Sequence, residues 1–462
     1  MSVVAQRPTA ATQPAVPVSQ PAELGRFIWW SAATLILFCA VYFHSKTDPG
    51  IRFAVKHSGL TNYGPSWWTQ QKFGQFTPGD IAVFAFAYAG LIERFRTGRL
   101  GMSNRMAWLL GLGSVAVLMG IAAGIYHETQ TPFGDWRNLA IGLVYAFALW
   151  STVLRTDRDC FRFAQIFVTI MTGYGAWQLV QYASGGGEIA FYGRTTVGDH
   201  ATLEFMVAAV GVSMAMLRTH RSRFLWMAGV AVGTSVVVLA FRRYAWVELA
   251  AVFAAFVLFS GVNRRRYVVS IAGVAVACLI TIALTWSSLD WGGRFASLDP
   301  TQTRADNIYA TTNQGHINDI LDGFDEVKAH PIAGLGVGVL YHGQRTAQWK
   351  GDAGMVHNAP VEVWIKFGLL GLFVFVTIYV ILFRDIWRRR NRRRVCDLLS
   401  FGGGAFLFGN ALVIGTVYSW PFGAPEKGIL IFTLIAMAYP PGWRQAPPAP
   451  ATAPAPTTAL PR

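Results

Sequence analysis

The sequence predicts an all-α polytopic integral membrane protein with about 12 transmembrane helices, and three observations carry that prediction. The composition is the first. Of 462 residues, 53% are hydrophobic and only 14% charged, with a mean hydropathy of +0.37, whereas soluble domains carry roughly 25% charged residues. The second is the recurrence of apolar runs near the length that a bilayer core about 30 Å thick demands, about 20 residues per helix. The third is the segregation of Lys and Arg into alternate loops, the signature of cytoplasmic loops in a multi-pass chain.

Taken in order, the apolar runs lie at 27–43, 79–92, 106–126, 136–154, 163–182, 200–217, 224–241, 243–261, 267–287, 360–383, 398–417 and 427–441. The first follows a long Pro/Ala/Gln-rich leader without a small-residue cleavage site, so it reads as an uncleaved span. With the N-terminus inside, the loops 93–105, 155–162, 218–223, 262–266 and 384–394 are cytoplasmic and hold 20 Lys and Arg residues. The loops 127–135 and 418–426 on the other side hold none. Both termini are therefore expected in the cytoplasm. The run Arg388–Arg390 and Arg392–Arg394 is explained by orientation and by anionic lipid.

The chain divides into a disordered cytoplasmic tail (1–26), helices one to nine (27–287), a large outer loop (288–359), helices ten to twelve (360–441) and a disordered Pro/Ala-rich cytoplasmic tail (442–462). Four cysteines, Cys39, Cys160, Cys278 and Cys396, are scattered in or beside spans and exclude a disulfide scaffold. They and the nine histidines form no metal-ligand spacing. The net charge of +15 comes without a basic patch interleaved with base-stacking aromatics, so nucleic acid is not an expected partner. Membrane lipids are.

The unusual residues concentrate on the outer face. In 44–78, Trp67, Trp68 and Phe73 read as interfacial anchors. In the large loop, Ile317, Ile320, Leu321, Phe324 and Val327 recur at helical spacing, predicting an amphipathic helix from His316 to His330 that Pro331 stops. The glycines of Gly334-Leu335-Gly336-Val337-Gly338 follow no strand, and close backbone packing explains them better than phosphate binding.

Outer arginines run against the positive-inside bias and need a reason. Arg242 and Arg243 share a turn at the membrane boundary, and Arg194 and Arg294 lie near the outer ends of other spans. Single arginines there snorkel to headgroups. Several from separate loops point to an anion site, because the planar guanidinium gives bidentate, permanently charged contacts to phosphate. His357 opens the tenth span, with Glu362 and Lys366 inside it, and an imidazole there can take a proton from a hydroxyl. Glu204 and Glu248 lie within spans and are candidates for a proton relay, ranked below the Arg/His site.

Four elements between about 190 and 375 resemble the O-antigen ligase/polymerase superfamily of bacterial envelope glycosyltransferases, with its WaaL-type ligases and Wzy-type polymerases. They are Tyr192-Gly193-Arg194-Thr195-Thr196-Val197-Gly198, the turn Phe241-Arg242-Arg243-Tyr244-Ala245-Trp246, the stretch Ala329-His330-Pro331-Ile332-Ala333-Gly334-Leu335-Gly336, and His357-Asn358 with Gly368-Leu369-Leu370-Gly371-Leu372. Asp199-His200-Ala201 departs from the His-Pro-Asn often found there.

The resemblance implies a GT-C-like membrane glycosyltransferase without cofactor or metal, acting on the periplasmic face of the bacterial inner membrane. Its donor would be a glycan on undecaprenyl pyrophosphate, transferred with inversion to lipid A-core. Arg194 and Arg243 would clamp the pyrophosphate with Arg242 and Arg294 beside them, and His357 would be the general base. A Wzy-type polymerase, whose acceptor is another lipid-linked glycan, would use the same chemistry. So would a protein O-oligosaccharyltransferase. From other classes, a secondary transporter or lipid-glycan flippase predicts a charged midplane site, and a non-enzymatic assembly protein predicts indifference to loss of Arg243 or His357.

Overall fold

The computed structural model describes residues 20–42, 77–97, 104–128, 134–184, 188–189, 195–197, 200–219, 221–240, 242–285, 308–339, 341–342, 352–353, 356, 358–389, 394–414 and 425–438. Residues 1–19 and 439–462 of the tails, the aromatic segment holding Trp67, Trp68 and Phe73, and the first part of the large outer loop, 288–307, lie outside the described residues. Within them the protein is α-helical, with two short antiparallel ladders of two residues per strand.

The helices are α1 (Gln20–Tyr42), α2 (Pro78–Thr97), α3 (Asn104–Tyr126), α4 (Gly134–Ala148), α5 (Asp157–Ala183), α6 (His200–Met216), α7 (Arg223–Leu239), α8 (Arg243–Phe259), α9 (Arg264–Thr285), α10 (Ile308–Ala329), α11 (Ala359–Arg389), α12 (Val395–Ile414) and α13 (Pro425–Ala438). Twelve of them coincide with the apolar runs of the sequence. Three contain stretches long and apolar enough to cross a membrane by length and composition, Gly25–Tyr42, Ala359–Arg389 and Val395–Val413, and shorter apolar helices accompany them. This is an α-helical membrane protein.

Local sequence sets many helix starts. Thr77 and Asp80 cap α2 reciprocally, with the Thr77 N–H donating to Asp80 Oδ2 at 2.8 Å and Pro78 in the first helical position. Thr156 and Asp159 repeat that capping box at α5. Prolines also stand at the first or second position of α13 and α11.

The core is one large apolar cluster, with Phe163, Phe167, Phe205, Trp226, Phe256, Phe401 and Phe406 fully enclosed. Within it α13 packs on α4, α6 on α7 and α12, and α8 on α12, while α3 packs on α11. One end of the bundle is closed by ionic contacts. Arg26 pairs with Asp159, and Arg389 donates to the last carbonyl of α13, Ala438 O, at 3.0 Å while lying 3.7 Å from Asp397. Orientation alone therefore does not account for the arginine run: buried Arg389 also joins the ends of three helices.

The tenth span is interrupted. Inside α11, Gly368 has φ +64° and ψ −169°, so 359–367 and 369–389 are two helical segments in different directions. The first segment carries its own small core, in which Val356, Val361 and Ile365 meet Val327 of α10 and Val339. The amphipathic helix expected from His316 begins a little over two turns earlier, at Ile308, and ends at Ala329 as Pro331 requires.

Candidate functional site

Helix direction brings the starts of α6, α8, α11 and α13 and the end of α3 to the end opposite the Arg389 contacts. At this end, Arg242 is the N-cap of α8 in an extended conformation, and its carbonyl accepts from the N–H groups of Ala245 (3.1 Å) and Trp246 (3.2 Å). The Trp246 indole donates back to Val237 O in α7 at 3.0 Å. That bond locks the turn between the two helices, so the arginines are held by backbone geometry fixed from both sides. Arg242 is half-buried; of Arg243 only the backbone is described, as the first residue of α8. Both arginines thus stand at the positive end of a helix, where an anion is favoured.

His357 itself lies outside the described residues, whereas Val356 and Asn358 on either side of it are described. Val356 is buried against Gly323 of α10, and Asn358 caps α11, its Oδ1 accepting from the Val361 N–H at 3.1 Å and its carbonyl from the Glu362 N–H at 3.0 Å. His357 therefore immediately precedes a helix N-cap wedged between two packed segments. One turn on, Glu362 and Lys366 form an ion pair of 2.6 Å with side chains 3% and 4% exposed.

Arg194 and Arg294 lie outside the described residues. The ladder beside Arg194 is described: Glu188 faces Thr196 and Ile189 faces Thr195 in antiparallel register, so Arg194 directly adjoins a paired strand. A second ladder sets Tyr341 opposite Ala353 and His342 opposite Asp352.

The His330–Gly338 stretch works by backbone approach. The N–H groups of Leu335 (2.7 Å) and Gly336 (3.3 Å) donate to Ile365 O, the Val337 N–H to Gly120 O in α3 (3.0 Å), and the Leu369 N–H to Ile332 O (3.0 Å). These bonds seat the stretch on the break in α11 and on the end of α3. Gly336 has φ +98°, and a Cβ there would collide with the Gly124 backbone. Only glycine meets both conditions.

Sequence reasoning missed two arrangements. Glu204 of α6 pairs with Lys427 of α13 at 2.7 Å, and beside them Asn410 of α12 donates to Glu248 of α8 at 3.3 Å, all four residues buried. The cost of burying charge in apolar spans was the available signal, and Lys427 was passed over. The other is the contact between His127 at the end of α3 and His330, whose rings are 5.3 Å apart in an edge-to-face arrangement. Among the described residues no group of three or more His, Cys, Asp or Glu side chains is placed to hold a metal ion.

Comparison with curated proteins gave no match. A family model described as O-Antigen ligase matches residues 228–376. That window holds Arg242, Arg243, Arg294, the His330–Gly338 stretch and His357 with Asn358. Over this segment the chain is similar to the O-antigen ligase family, in line with the resemblance carried by its motifs.

Proposed function

We propose that this protein is an O-antigen ligase-type glycosyltransferase of the bacterial inner membrane. It transfers a glycan from undecaprenyl pyrophosphate to lipid A-core on the periplasmic face, with inversion and without a metal. The observation that carries this reading is the similarity to the O-antigen ligase family at 228–376, which encloses both the arginine turn and the residue preceding the Asn358 cap. Twelve apolar helices cross the membrane in a GT-C-like arrangement, and both termini are cytoplasmic.

In this mechanism the acceptor hydroxyl attacks the anomeric carbon of the donor sugar from the face opposite the pyrophosphate. The glycosidic bond forms as the sugar–phosphate bond breaks, and the electron pair leaves on pyrophosphate. Arg194 and Arg243 hold that growing negative charge, with Arg242 and Arg294 beside them and the N-terminus of α8 adding its positive end. His357 takes the hydroxyl proton. Fixed guanidinium groups in a site of low dielectric supply charge stabilisation without reorganising during the reaction.

The test is the chain length of undecaprenyl-linked glycan in cells lacking the protein. Long lipid-linked chains with uncapped core support the ligase. Single repeats with core capped by one unit at most would identify a polymerase instead. Repeats trapped on the cytoplasmic leaflet would identify a flippase and remove the Arg/His mechanism.

A further inference from the structure

A groove of about 540 Å³ runs along α3 outside the arginine turn. One wall is the stripe Met119, Ala122, Ala123 and Tyr126, spaced as successive turns of one helix face. The other is His330-Pro331-Ile332-Ala333-Gly334, and His127 pairs with His330 in the lining. The volume is that of a site for a small organic ligand.

The polarity of the groove is graded. Along α3 the lining passes from Met119, Ala122 and Ala123 to Tyr126 and His127 at the end of the helix, with Tyr126 packed on His127 at 5.1 Å and His330 beside it. The distance from Met119 to Tyr126 along the helix is about 10 Å, in an apolar stretch that runs Ser114–Tyr126. An apolar lining that leads to polar side chains at the end of an apolar helix is the profile of a lipid chain lying along the bilayer normal with its head at the interface. The segments that line the groove also carry exposed apolar side chains. Leu118 and Ile125 of α3 are exposed on one side, and Ile332, then Ile317, Leu321 and Phe324 of α10, on the other.

Two lipids must meet at a transferase of the kind proposed above, and the fold offers separate approaches. The arginine turn belongs to α8, which packs on α12, α9 and α6, whereas the groove belongs to α3, which packs on α11. His357 precedes α11. Among the described residues the groove lining holds no guanidinium, so it lacks the paired cationic contacts that a pyrophosphate head calls for.

We propose that this groove receives a hydrocarbon chain of the acceptor glycolipid, with the His127 and His330 imidazoles bonding to its head group. The proposal rests on the glycosyl-transfer reading for the identity of the lipid, but the labelling half of its test does not. The full chain is placed in nanodiscs and photolabelled with a lipid A-core glycolipid carrying a diazirine in one acyl chain. Label is expected on 119–126 and 331–334, displaced by unlabelled glycolipid. Ala122→Trp fills the groove and Ile332→Asp charges its wall; both positions are exposed. Each is expected to cut the labelling and to raise the acceptor KM about tenfold, with the donor KM unchanged, a loss of about 1.4 kcal/mol of acceptor binding.

Label elsewhere on the chain would overturn the proposal. So would equal displacement by phosphatidylethanolamine, which would mark a general lipid groove, or by undecaprenyl phosphate, which would mark the donor's. Specific labelling by a wild-type protein that transfers no glycan would sustain glycolipid binding here and reject the transferase.

Discussion

Lys427 Nζ lies 2.7 Å from a carboxylate oxygen of Glu204, joining the first turn of α13 to α6 across 223 residues of sequence. The Glu248–Asn410 contact stands next to this pair, so four helices meet around buried polar groups. Glu248 is five residues beyond Arg243 on α8, about 7.5 Å further along the same helix.

Breaking a buried pair from one side leaves a charge without compensation. Lys427→Met is therefore expected to destabilise the protein by about 3–5 kcal/mol, and Lys427→Met with Glu204→Gln to recover most of that loss. Unfolding in detergent followed by tryptophan fluorescence compares the two. Equal destabilisation by the single and double substitutions would show that Glu204 and Lys427 do not act as a pair.

Gly336→Ala and Gly368→Ala combine a left-handed backbone with a collision against backbone atoms of Gly124 and of Ile332, respectively. Conformational strain alone costs about 1–3 kcal/mol at such positions. Both variants are expected to lower the folded yield in size-exclusion profiles, whereas Gly273→Ala, with open space around it, is expected to match the wild type. A normal yield for Gly336→Ala would mean that the His330–Gly338 stretch does not seat on α3.

For the proposed chemistry, Arg243→Ala is expected to lower transfer about 10²–10³-fold, the usual loss on removing one fixed donor from a developing anion. His357→Ala is expected to lower it about 10²–10⁴-fold as a lost general base. Arg243→Lys stays impaired, because a lysine cannot reproduce a bidentate contact. Reconstituted transfer measured at matched protein level decides this, and full activity in both alanine variants would remove the mechanism.

Asn358 separates positioning from chemistry. Asn358→Ala removes the α11 cap, worth about 1 kcal/mol, and frees the backbone at His357 while leaving the imidazole in place. The expected outcome is a lower kcat with a small loss of stability, and Asn358→Asp or Asn358→Ser, which also cap, should restore both. A kcat that follows residue size and ignores capping ability would tie Asn358 to substrate instead.

The existence and order of the helices were legible, with ends up to eight residues off, because apolar run length and the placement of Lys and Arg are both local properties of the chain. The starts of α2 and α5 could be read from Thr77-Pro78 and Thr156-Asp157-Arg158-Asp159 alone. The break at Gly368 was not legible. Gly368 stands inside the tenth span with apolar residues on both sides, and what bends the chain there is a bond from the Leu369 N–H to Ile332 O in a different segment. The arginine turn was found as a motif, but the Trp246 bond that holds it depends on how α7 meets α8.

Composition and charge pattern were thus enough to establish a helical membrane protein and to draw attention to Arg242, Arg243 and His357, because solvation by a bilayer acts on each segment separately. Pairing needed the tertiary structure. Lys427 with Glu204, Arg26 with Asp159, and His127 with His330 each join segments distant in sequence. Their identities as partners follow from which faces the packed helices turn toward one another, and no local pattern encodes that choice.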